Sequence, residues 1–160
     1  MARPGAAPVA AGEPVRAAHL PDRAYGADRS YSYRFDTPAG AIVFTGDTGP
    51  SAAVEALARD CNILVAEVVD LPSVMAAIAA PFGGRLPTAM DAMRIHMEAE
   101  HLTPAELGKL AQRAKARKLI VTHFAMGPTG DLDAIRREIR RHYTNGDIVM
   151  GMDMMEIPLE

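Results

Sequence analysis

The chain has 160 residues, 49% of them hydrophobic and 23% charged, with a formal net charge of -3. That is enough for one domain with a real core, and the acidic balance gives no general attraction to nucleic acid or to an anionic membrane without a local basic patch. No apolar segment approaches the ~20 residues that span a bilayer, the Ala/Pro-rich start lacks a compact secretory core, and a single cysteine, Cys61, excludes an internal disulfide. A cytoplasmic protein without a membrane partner is expected, with Cys61 as a small core residue.

Residues 1–29 are Ala, Pro, Gly and scattered charge without sustained periodicity, so they read as an irregular tail or linker, with His19 an exposed bystander. Order is expected over 30–160. Tyr31, Tyr33 and Phe35 alternate with polar residues as in a half-buried strand. Thr37-Pro38-Ala39-Gly40 then turns the chain into an apolar strand from Ala41 to Thr45, which predicts an antiparallel hairpin.

That second strand breaks into Gly46-Asp47-Thr48-Gly49. A carboxylate on a strand-to-helix turn is a rigid, aimed ligand for a metal or phosphate. The competing reading is turn chemistry, with Asp47 bonded to nearby backbone and Thr48 or Gly49 capping the helix. Pro50 fits the first turn of that helix, which runs to about Arg59 with Val54, Leu57, Ala58 and Cys61 on one face.

Asn62 to Val69 is an almost continuous apolar run, the pattern of a strand buried on both faces. Glu67 interrupts it. Either this carboxylate is paired, protonated or bound, or the strand ends at Ala66. Helical spacing follows over Leu71–Ala80, stopped by Pro81-Phe82-Gly83-Gly84, and again from Thr88 to about Glu98, where Met90, Met93 and Met97 form a stripe expected to be core.

Thr103-Pro104-Ala105-Glu106 carries a capping threonine, a first-turn proline and a glutamate able to reach back, so a helix is predicted to about Ala116 with His101 in the loop before it. Lys118 to Thr122 reads as a buried strand with His123 at its end. Asp131 to His142 is amphipathic on Leu132, Ile135 and Ile139, acidic first and basic last as the helix dipole favours. Its Arg136, Arg137, Arg140 and Arg141, with the Lys109 to Lys118 basic group, are the only features that would suit nucleic acid, and no aromatic residues interleave them. Asn145-Gly146 turns into Ile148-Val149-Met150, and Met154 to Ile157 reads as a closing strand.

Strands alternating with helices, with an acid at one strand end and a histidine at another, predict an α/β layer structure whose site lies along one sheet edge. Three segments, Phe44 to Ser51, His101-Leu102-Thr103 and Leu119 to Phe124, resemble in that order the metallo-β-lactamase superfamily, and within it the ribonuclease Z-like branch. The resemblance runs from about Ser30 to the C-terminus and implies half of an αββα sandwich, its C-terminal half.

By position, the resemblance makes Asp47 the carboxylate that bridges two metal ions, Zn²⁺ or a similar divalent ion, and His123 the last histidine ligand of the second ion. It makes Glu67 and His101 an acid-histidine pair that hands a proton to a leaving oxygen, although Ala66 stands where the branch has histidine and Val68-Val69 replace its Ala-Thr. The implied reaction is metal-dependent hydrolysis of a phosphodiester or another ester. The superfamily's His-x-His-x-Asp-His cluster is absent from these 160 residues. Activity would therefore require a missing half from a longer product, a partner or a second copy. The alternative is a non-catalytic half-domain kept for association, whose uncovered sheet face would favour a homo-oligomer.

Overall fold

The computed structural model describes residues 10–11, 15–16, 30–84 and 91–159. Its strands are β1 (Ala10–Ala11), β2 (Val15–Arg16), β3 (Tyr31–Thr37), β4 (Gly40–Phe44), β5 (Ile63–Val69), β6 (Lys118–Ala125) and β7 (Asp147–Met150). The helices are α1 (Ala52–Ala58), α2 (Leu71–Ala79), α3 (Asp91–Glu100), α4 (Pro104–Ala114) and α5 (Leu132–His142). His19 and the start of the Thr88 helix lie outside the described residues. Two short strands, β1 and β2, do lie in the stretch that reads as irregular, and both pair with β3.

The sheet runs β1-β3-β4-β5-β6-β7, with β2 also on β3. The β3–β4 hairpin is antiparallel, whereas β4, β5, β6 and β7 are mutually parallel. Parallel neighbours need crossovers, and α1, the α2–α4 segment and α5 supply them. This is the mixed α/β sheet with flanking helices that the sequence predicts.

Strand periodicity sorts the side chains into two faces. Ala41, Val43, Leu64, Ala66, Val68, Leu119 and Val121 point into the core, where they meet Val54 and Ala58 of α1, Leu107 to Ala114 of α4, and Ile135 and Ile139 of α5. Each fully buried Val, Leu or Ile contributes about 1.5–3 kcal/mol. Gly108 lets α4 approach α5 closely, since a Cβ there would lie 2.7 Å from the Ile139 carbonyl oxygen. Cys61 is fully buried in this core, and burial pushes its thiol up to about 11, so it is an inert packing residue.

The opposite face is only partly covered among the described residues: Ile63 and Ile120 are buried there, whereas Phe44 is exposed. Ile42, Phe44, Ile63, Val65 and Ile120 line a groove of about 590 Å³ there, closed at one end by Met152, Met155 and Ile157. Tyr31, Tyr33 and Phe44 are each more than 40% exposed, and Met152 is 72% exposed.

Several local expectations need correction. Helix α1 is capped by Ser51, whose hydroxyl accepts the Val54 N–H, so Pro50 precedes the cap and neither Thr48 nor Gly49 serves as one. Thr103 does cap α4, but Glu106 bonds Lys109 at 2.7 Å instead of reaching back. Residues 154–157 form no strand. The methionine stripe is not core where it is described: Met93 is 41% exposed and Met97 half-buried, while Met90 lies outside the described residues.

Candidate functional site

The C-terminal ends of β4, β5 and β6 lie side by side, and the candidate residues collect there. Asp47 follows β4 after Gly46, whose φ of +61° lies in the left-handed region. A Cβ at Gly46 would stand 2.7 Å from the Tyr31 carbonyl oxygen, so both the turn and the close approach of β3 demand glycine. The Ser30 hydroxyl donates to the Asp47 carbonyl at 2.7 Å and fixes the turn from the other side.

His123 is not at the end of its strand but inside β6, at a β-bulge. Ala66 pairs with Val121 and Val68 with Phe124, so Glu67 alone faces both Thr122 and His123. His123 adopts φ +47°, a conformation that costs a non-glycine residue about 1–2 kcal/mol. Bulges re-aim side chains. Here His123 Nε2 comes 3.4 Å from Asp47 Oδ1, with both side chains open to solvent. The Asp47 carboxylate thus faces the next strand but one, not merely its own turn.

Glu67 belongs to β5 and is 2% exposed, which resolves the strand-end alternative in favour of a continuous strand with a buried acid. Both of its oxygens are engaged. Oε1 accepts the Thr48 backbone N–H at 2.8 Å, and Oε2 lies 2.9 Å from His101 Nδ1. A buried carboxylate requires such partners.

His101 is held from its C-terminal side. Leu102 is buried and its carbonyl accepts the Val69 N–H at 2.8 Å, while Thr103 starts α4. The hydrogen bond from Glu67 raises the His101 pKa above 6.5; burial opposes this, and the charges of Glu67, Asp47 and Glu100 reinforce it. With Nδ1 on the carboxylate, the imidazolium carries its second proton on Nε2, as a general acid requires.

A cleft of about 230 Å³ is lined by Tyr31, Tyr33, Phe44, Asp47, Glu67 and His123 among others, while His101 lies behind Glu67 and outside this lining. The sequence reading missed the Thr48 N–H, which no residue-type pattern reveals, and Asp153, which lines the apolar groove beside His123. Among the described residues no group of three His, Cys, Asp or Glu side chains could hold a metal ion. Asp47 and His123 have the right chemistry for a divalent transition metal and converge, yet they supply only part of a ligand set. The arginines of α5 are largely spoken for: Arg137 meets Asp131, Arg141 meets Glu138, and Arg140 donates to the carbonyls of Tyr143 and Gly146.

No family model matches the chain. In sequence it is 31% identical over 153 residues to a ribonuclease Z of Salinispora arenicola, covering 96% of this chain and 43% of that protein. It is 30% identical over 121 residues to a ribonuclease Z of Streptomyces avermitilis, covering 74% and 33% respectively. Among solved structures, the Bacillus subtilis metallo-β-lactamase fold protein YhfI superposes with a TM-score of 0.57 at 16% identity, over 86% of this chain and 44% of that one. The short form of human tRNase Z gives 0.53 at 17% identity, over 92% and 41%. The chain thus spans less than half the length of each of these relatives.

Proposed function

With the chain related to the ribonuclease Z-like branch of the metallo-β-lactamase superfamily, we propose that it supplies one half of a metal-dependent hydrolase site for a phosphodiester or another ester. The observation that carries this reading is the convergence of two chemistries at one sheet edge: the Asp47–His123 pair at 3.4 Å and the buried Glu67–His101 pair at 2.9 Å. A structural ion pair needs no second, acid-braced histidine beside it. The names of the sequence relatives favour a phosphodiester, and hence RNA, as the substrate class.

In this reading residues 30–160 are the C-terminal half of the domain, and Asp47 and His123 are metal ligands. Asp47 and His123 would hold a divalent ion such as Zn²⁺, two in the family's complete site, which when bound would activate water and polarise the ester. Asp47 would contribute its carboxylate, and the bulge at His123 turns the imidazole toward it. Glu67 holds the His101 ring by Nδ1, so that Nε2–H can be given to the departing oxygen. The remaining ligands come from a longer product, a partner or a second copy.

A second reading rests on the partly exposed apolar face of β4, β5 and β6. A non-catalytic half-domain would use it to associate with itself or with a partner, since contiguous apolar surface of this kind is uncommon on a monomer.

Elemental analysis of the purified chain, beside Asp47→Ala and His123→Ala and with oligomeric state recorded, separates the two. Stoichiometric divalent metal in the parent, lost in both variants, is the expected outcome for a site that closes within the chain or its oligomer. Metal at background removes the self-contained site and leaves an incomplete enzyme or the association reading.

A further inference from the structure

Next to the Glu67–His101 pair stands a second one that the proposed reaction leaves unused. His96 and Glu100 are one turn apart on α3, and His96 Nδ1 lies 3.1 Å from Glu100 Oε1. The chain leaves the helix at Glu100 and places His101 immediately after it. The His96 and His101 rings meet edge to face, their centroids 6.3 Å apart and their planes at 86°. Side-chain exposure falls steadily along this row, from 35% at His96 to 12% at Glu100, 11% at His101 and 1% at Glu67.

We propose that the His96–Glu100 pair is a second acid-imidazole couple that positions His101 and sustains its cationic form. The proposal rests on the reading of His101 as a proton donor. Glu100 is nearly as sheltered as His101, so water screens its charge poorly. His96 Nδ1 gives that carboxylate a partner at 3.1 Å, and its ring edge limits rotation of the His101 ring. The groups facing His101 are thus Glu67 from β5, Asp47 from the turn after β4, and Glu100 and His96 from α3. The three carboxylates all favour the imidazolium, with Glu67 dominant and Glu100 the smallest contributor. Neither His96 nor Glu100 touches the reacting atoms in this scheme; both act through His101.

The test needs neither substrate nor metal, so it fails separately from the hydrolase reading. The imidazole signals of His101 are titrated by NMR in the full chain, in Glu100→Gln, and in Glu67→Gln as the reference for a direct partner. The expected result is a lower His101 midpoint in Glu100→Gln, by less than in Glu67→Gln, with amide spectra unchanged elsewhere. Glu100→Ala, which removes the carboxylate without leaving an amide, is expected to move the midpoint the same way and stands in should the first variant unfold. An unmoved midpoint in a folded Glu100 variant overturns the proposal.

Discussion

Glu67 accepts the backbone N–H of Thr48 at 2.8 Å, across 19 residues of chain and from one parallel strand to the turn after its neighbour. Its other oxygen meets His101, so a single buried carboxylate braces both the turn that carries Asp47 and the histidine that would move a proton. Glu67→Ala removes the buried acceptor of the Thr48 N–H and the carboxylate partner of His101 and is expected to cost roughly 3 kcal/mol or more. Glu67→Gln keeps an acceptor and should cost about half of that or less, as loss of a charge-assisted bond does. Urea unfolding of the two variants measures the order; equal losses would mean that the carboxylate merely fills space.

Stability should depend on pH through His101. Its folded pKa is raised above 6.5, chiefly by the Glu67 hydrogen bond. The native state therefore holds a proton that the unfolded chain has released once pH exceeds 6.5. The resulting stabilisation is fully present below pH 6.5 and is lost as pH rises through the folded value. Unfolding curves between pH 6 and 9 are expected to show this decline in the parent and to flatten in His101→Gln. A decline of the same size in His101→Gln would assign it to another group.

At Gly46 a Cβ would enter the Tyr31 carbonyl, and φ is positive besides. Gly46→Ala is expected to destabilise by about 1–3 kcal/mol and to displace Asp47. Thermal unfolding reads the first effect. Loss of whatever divalent metal the parent holds reads the second, and a variant as stable as the parent would show that β3 yields easily there.

His123 offers a sharper comparison, because its strain and its proposed role separate. Alanine keeps the unfavourable φ of +47° whereas glycine relieves it. His123→Gly should therefore be more stable than His123→Ala by up to about 1 kcal/mol, although both remove the imidazole. Should alanine prove the more stable, the bulge conformation carries no strain worth relieving.

The partly exposed apolar face makes its own prediction. Phe44, at the end of β4, is 42% exposed on it. Phe44→Glu is expected to shift the chain toward a monomer in light scattering if the face associates with a second copy, with little change in secondary structure by circular dichroism. An oligomer that survives this charge uses another surface.

Much of this architecture is legible in the residues themselves. Branched apolar runs bounded by glycine and proline mark β4, β5 and β6, and Thr103-Pro104 marks the start of α4, because local sterics and capping decide those elements. The ends of strands are less legible. Ordinary strand patterning places His123 at the end of its strand, since a bulge depends on the register with β5, and register is a property of two strands. The Met93 and Met97 stripe misleads for a related reason: helical periodicity reports which face is apolar, and not whether anything covers it. Thr48 contributes through its backbone, where side-chain identity carries no signal.

Asp47, Glu67, His101 and His123 follow one another in the chain, but Asp47 meets His123 only after the parallel crossover from β5 to β6 has closed. The β6 strand docks on β5 across the whole α2–α4 segment. Such long-range pairings form late, because the entropy of closing the intervening chain must be overcome before any contact stabilises them. A chain still being synthesised can therefore carry the Glu67–His101 pair but not the Asp47–His123 pair: until Phe124 has emerged and paired with Val68, Asp47 has no His123 to face. Any metal that these two residues hold together would be bound only after β6 has docked on β5, so metal uptake would report on that docking.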